Sequence, residues 1–156
     1  AVASGSGAGA AAAPLVAVAR TYNQTPGGTY GQSLPALPHD AVELVAGRVG
    51  HLVGLKKSAD YRTNLGLASA AEEGAAATVR LLDAAGAQLG GPLELELSGP
   101  GWRQVNDLFA AVGAQGQDVA HATVEVSRGA AWAYASVVDN RSGDGTTVPV
   151  LVAAGE

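Results

Sequence analysis

Residues 92–97 read Pro-Leu-Glu-Leu-Glu-Leu, an alternation that sets Leu93, Leu95 and Leu97 on one side of an extended chain and Glu94 and Glu96 on the other. Successive side chains of a strand point to opposite faces, so this stretch is a half-buried strand with one face in water. The same period extends outward along the chain. Val119–Ser127 sets Val124 and Val126 against Thr123 and Glu125, with His121 on the polar face, and Arg48–Leu55, Tyr61–Ser69 and Ala75–Asp83 are β-prone runs of similar length. Ala131–Asp139 (AWAYASVVD) is apolar on both faces. That predicts a central strand covered on each side, with Trp132 and Tyr134 in core packing. Leu15–Tyr22 and Thr146–Val152 complete the set of strands.

Turn chemistry separates these runs. Pro26-Gly27-Gly28, Ala84–Gly86 and the polar Asp139–Gly145 are turn signals, and Ser33–Asp40, with Pro35 and Pro38, reads as an irregular connection. After the break at Gly99–Gly101 and a short strand Trp102–Val105, Asn106 is placed to cap one or two helical turns through Val112. Roughly eight to ten short strands with turns between them predict an all-β fold, a two-sheet antiparallel β-sandwich of immunoglobulin-like or jelly-roll-like type.

The composition agrees. The 156 residues suit one domain, and they are 47% hydrophobic but only 4% aromatic, with 33 alanines and 22 glycines, so strands must pack closely on small side chains. Net charge is −5, and Lys56 and Lys57 are the only lysines. Without a basic stripe to release phosphate counterions, nucleic-acid binding is excluded. No run approaches the ~20 apolar residues of a membrane span. The absence of cysteine rules out disulfides, thiol catalysis and thiolate zinc sites.

Little in the sequence points to catalysis, and no cofactor is expected. His39, His51 and His121 lie in separate segments without ligand spacing. Glu72–Glu73 falls in a turn, while Glu94 and Glu96 share a wet face, so neither pair has the contrasting environments that split two carboxyl pKa values. No Gly-x-Ser-x-Gly elbow occurs, and the glycine-rich stretches lack a phosphate-loop lysine. Asn140, Ser142 and Asp144, followed by Gly145, match the first half of a calcium loop, but Leu151 stands where the twelfth-position carboxylate belongs. They are weak calcium candidates, and a structural turn is the favoured reading. Asn23-Gln24-Thr25 and Asn140-Arg141-Ser142 are formal glycosylation sequons. Trp102, after Gly-Pro-Gly, is the best candidate for an exposed aromatic that could stack on a sugar.

Five stretches carry a family resemblance: RTYNQTPGGTYGQ (Arg20–Gln32), YRTNLGLAS (Tyr61–Ser69), VRLLDAAGAQLG (Val79–Gly90), GWRQVNDLF (Gly101–Phe109) and AYASVVDNRSGD (Ala133–Asp144). Together they resemble a recurrent module found in secreted proteins of environmental bacteria. The resemblance implies an immunoglobulin-like sandwich and an extracellular location, and it brings no catalytic residues with it.

The first thirteen residues, AVASGSGAGAAAA, differ from the rest. With Ala1 leading and no methionine, they fit the mature end left by leader cleavage, which predicts secretion, although removal of an initiator methionine would leave the same end. Residues 1–13 are therefore a small-residue tail or donated strand, and residues 14–156 the sandwich domain. As a donated strand, Val2, Ala3, Ser4, Gly5, Ser6, Gly7, Ala8, Gly9 and Ala10 would form a subunit interface, and head-to-tail donation would build a homopolymer. The leading expectation is a non-catalytic subunit of an extracellular fibre or surface assembly. The alternative is an accessory module that binds a cell surface or a polysaccharide for a larger secreted protein.

Overall fold

A computed structural model describes residues 16–38, 41–42 and 44–153. The chain is an all-β sandwich. A two-residue turn at Pro26-Gly27 joins β1 (Val18–Thr25) and β2 (Gly28–Pro35) into a separate antiparallel hairpin. β3 (Leu44–Val45), β4 (Val49–Lys57), β5 (Tyr61–Ser69), β6 (Ala75–Asp83), β7 (Gln88–Leu97) and β8 (Gly101–Val105) follow, then a single-turn helix α1 (Leu108–Ala111). β9 (Gln117–Asp139), β10 (Gly145–Pro149) and β11 (Leu151–Val152) close the chain.

The organising element is β9, whose 23 residues serve both layers. Its first half pairs with β4 and β6, giving a layer in the order β11-β4-β9-β6-β7. Its second half pairs with β5 and β10, giving β10-β9-β5-β8. Between the halves the register slips: Ala77 pairs with Val126 but Ala76 pairs with Arg128, leaving Ser127 as an extra residue. One extra residue exchanges the two faces of a strand. Ala120, Ala122, Val124 and Val126 therefore face the core before the bulge, and Ala131, Ala133, Ala135 and Val137 after it.

These alanines let the layers approach, and leucines fill the space between. Leu52, Leu55, Val79, Leu81 and Leu95 come from the first layer, Leu65 and Leu67 from the second, and all are buried in one cluster. Leu108 and Phe109 of α1 join that core. Leu95 and Leu97 are buried as the alternation requires, Leu93 is partly buried, and Glu94 and Glu96 are exposed. His121 and Thr123 lie half-buried and Glu125 exposed on the opposite side of β9 from its core residues, again as read from the pattern.

Several expectations are corrected. Trp132 and Tyr134 are not core residues, because past the bulge the alternate positions, Ala131 and Ala133, point inward. Ser33–Asp40 is not irregular throughout: β2 extends to Pro35, since a proline at the end of a ribbon costs no ladder bond. The helix cap is Asp107 rather than Asn106. The Asp107 carboxylate accepts from the Ala110 amide at 3.2 Å, and its backbone N–H donates to Asn64 Oδ1 at 3.0 Å. His39 and the interface proposed from Val2 to Ala10 lie outside the described residues.

Candidate functional site

The outer face of the second layer is built from the positions that the core does not use. On β5 these are Arg62, Asn64, Gly66 and Ala68, alternating with the buried Thr63, Leu65 and Leu67. The antiparallel registers then fix cross-strand rows. Ala68 pairs with Trp102 of β8 and with Trp132 of β9, so one row reads Trp102–Ala68–Trp132. The next reads Gln104–Gly66–Tyr134, then Asn64 beside Ser136, then Arg62 beside Val138. Gly66 has no side chain because the Tyr134 ring occupies the space that a Cβ would fill. That ring covers the glycine in the row next to the two tryptophans.

The β1–β2 hairpin stands over one side of this face and turns it into a groove of about 1020 Å³. Tyr22, Gln32 and Leu34 supply its wall, and Trp102, Trp132, Tyr134, Asn64 and Gln104 line the floor. Isolated two-stranded ribbons are marginal in water, so the attachment matters. Gln32 Oε1 accepts from Ser136 Oγ at 2.7 Å and lies 3.3 Å from Thr147 Oγ1. The Gly31 amide donates to Asp144 Oδ1 at 2.8 Å, and Thr147 Oγ1 donates to the Ser33 carbonyl at 3.1 Å.

Polar atoms in the groove are only half used. Asn64 accepts from Asp107 through Oδ1, and Gln104 donates to Asn106 Oδ1 at 2.6 Å through Nε2. Asn64 Nδ2, Gln104 Oε1 and Gln32 Nε2 have no protein partner among the described residues. Trp132 Nε1 is buried and has no partner among the described residues. Leaving a buried donor without an acceptor costs about 1–3 kcal/mol. Trp102, in contrast, is 56% exposed at the open end of the groove, as its sequence context suggested.

The calcium candidates are each engaged in hydrogen bonds within the protein. Asn140 Oδ1 accepts from Arg62 Nη1 at 2.6 Å, Ser142 Oγ accepts from the Asp144 amide at 3.1 Å, and Asp144 Oδ1 is turned to Gly31. They shape the turn between β9 and β10, which Asp139 closes by accepting from the Arg141 and Ser142 amides at 2.7 and 2.9 Å. Those two backbone donors, Ser142 foremost, hold the Asp139 carboxyl below its ordinary pKa. A lowered carboxyl pKa means that the folded state binds fewer protons. The turn's stability is thus complete above the ordinary carboxylate range and is lost as pH falls through it toward the lowered value. Amide exchange at Arg141 and Ser142, followed from pH 6 to pH 3 at matched intrinsic rates, is expected to accelerate on acidification, and Asp139→Asn is expected to remove that dependence.

Glu72 and Glu73 are exposed in a turn, Glu94 and Glu96 are exposed on β7, and His51 is exposed on β4, all away from the groove. Of the residues that line the groove, only Trp102 was legible as an exposed aromatic; Trp132 and Tyr134 read as core residues, and the convergence of the lining was not legible. Four of the five stretches that carry the family resemblance meet there; Val79–Gly90 on β6 and β7 does not.

No protein-family model matches the sequence, and no curated protein does. A solved structure of similar fold is the crystal structure of Thermotoga maritima 1070, with a TM-score of 0.53 at 13% identity over 71% of this chain and 96% of the other. At that identity the likeness supports the sandwich fold alone.

Proposed function

We propose that the protein is a non-catalytic binding module that holds a glycan chain in the groove over its second layer, acting outside the cell. The carrying observation is the row Trp102–Ala68–Trp132, two indoles flanking a small residue on an open sheet face. Sugar rings present flat C–H faces that stack on such surfaces, and their hydroxyls match the unpaired amide atoms of Asn64, Gln104 and Gln32. A polypeptide fits less well. Peptides that bind sheets add to an edge, whereas the groove floor at β5 and β9 lies mid-sheet with its backbone already paired.

The test is affinity electrophoresis of the purified protein through gels containing soluble polysaccharides, with titration calorimetry on any that retard it. Retardation by at least one polymer, lost in Trp102→Ala, is the expected result. No retardation by neutral or charged polymers, together with unchanged tryptophan fluorescence, would overturn the reading.

A second reading keeps the self-assembling subunit. β8 pairs only with β5 among the described residues, so its other edge is open to a strand such as Val2–Ala10 of another copy. Electron microscopy separates the two. Filaments from the full chain, absent when residues 1–13 are removed, favour the fibre; monomers from both favour the module.

A further inference from the structure

The geometry points to an acidic polysaccharide, one bearing carboxylates, as the ligand of the groove, with Arg62 as the residue that selects it; this rests on the glycan reading above. Among the described residues lining the groove, Arg62 is the sole charged side chain. That is notable in a chain of net charge −5. The carboxylates near it are otherwise engaged. Asp60 is paired with Arg141 at 2.7 Å, Asp139 accepts from two backbone amides, and Asp144 accepts from Gly31. Arg62 itself donates Nη1 to a neutral oxygen, Asn140 Oδ1. Asn140 is fixed in turn: its backbone N–H donates to the Asp60 carbonyl at 2.8 Å and its Nδ2 to the Ala59 carbonyl at 3.1 Å. The guanidinium is thus oriented without being neutralised, and it keeps donors in a fork suited to a planar carboxylate.

Its position adds a length. Arg62 pairs with Val138 at one end of the β5–β9 ladder, and Ala68 pairs with Trp132 at the other. They lie six positions apart along the strand, about 20 Å at ~3.3 Å per residue. A single sugar cannot reach both, whereas a chain can stack at the tryptophans and present an acidic group at Arg62.

The test compares three polymers by affinity electrophoresis and calorimetry: polygalacturonate, the same polymer with its carboxyls reduced to alcohols, and dextran sulfate. The expected result is that the full chain binds polygalacturonate at least ten-fold tighter than the reduced polymer. Arg62→Gln should abolish that preference while leaving the melting temperature unchanged, and Arg62→Lys should retain part of it. Equal binding to the first two polymers, or an Arg62→Gln protein that keeps the preference, overturns the inference and leaves the glycan reading standing. Tighter binding to dextran sulfate overturns the carboxylate in favour of sulfate. Failure to bind any of the three, or any neutral polymer, sinks the glycan reading with it.

Discussion

Gly129→Ala is expected to lower the melting temperature by about 10 °C, while Gly54→Ala lowers it by only about 3 °C, taking ~2–4 °C per kcal/mol for a chain of this size. Both glycines have positive φ, +71° and +77°. An alanine at either position bears the left-handed penalty of about 1–2 kcal/mol. They differ in what surrounds them. Nothing lies within 4 Å of a Cβ at Gly54, whereas a Cβ at Gly129 runs into the backbone carbonyl of Gly74. Carbonyls of a paired strand cannot swing aside as a side chain can, so β6 and β9 must separate locally, adding roughly 1–3 kcal/mol of overpacking. The effect reaches beyond stability. Gly129 lies beside the bulge at Ser127 that exchanges the faces of β9, and without that exchange Trp132 and Tyr134 would point into the core. Thermal melts of the two variants measure the difference directly. Equal losses would mean that the close approach at Gly74 contributes nothing and that backbone strain alone explains both.

The same bulge explains where the sequence could be read and where it could not. Pro92–Leu97 alternates leucine with glutamate, so its buried face is fixed by chemistry alone, and Leu95 and Leu97 are buried as expected. The Ala84–Gly86 turn is equally local, since the Asp83 carboxylate accepts from the Ala85 and Ala87 amides. AWAYASVVD offers no such asymmetry, because either face is apolar. Its small face is chosen for the core by the leucines opposite, a long-range matter. The neighbouring strand held a usable signal: Arg62 and Asn64 share a face that must be wet, and the antiparallel register puts Val138 and Ser136 beside them. Following that face two rows further leads to Tyr134 and Trp132. β2 escaped notice for a different reason. A ribbon held by Gln32 and Thr147 rather than by a hydrophobic face carries no apolar period. The choice between Asn106 and Asp107 as cap turned on Asn64, 43 residues earlier in the chain, which local capping preference cannot see.

Trp102→Ala is expected to weaken glycan binding about 30-fold, the equivalent of ~2 kcal/mol for loss of a principal aromatic contact. Its melting temperature should stay unchanged, because Trp102 is 56% exposed and contributes little to the core. Trp132→Ala removes the second indole of the row, and about a ten-fold loss is expected for an aromatic contact of ~1.5 kcal/mol. The two tryptophans flank Ala68 on adjacent strands, so their backbones stand about 10 Å apart at ~4.8 Å per strand spacing. Sites that far apart are nearly additive. The double variant should therefore bind about 300-fold more weakly than the full chain, beyond the reach of affinity electrophoresis and measurable only by calorimetry at high polymer concentration. Additivity is the informative part. If the double variant binds no more weakly than Trp102→Ala alone, the ligand touches only the open end of the groove, and the long, chain-spanning mode that brings Arg62 into contact must be given up. A product of the two single losses means that one glycan chain lies across both indoles at once, which is the geometry that the row Trp102–Ala68–Trp132 was read to require.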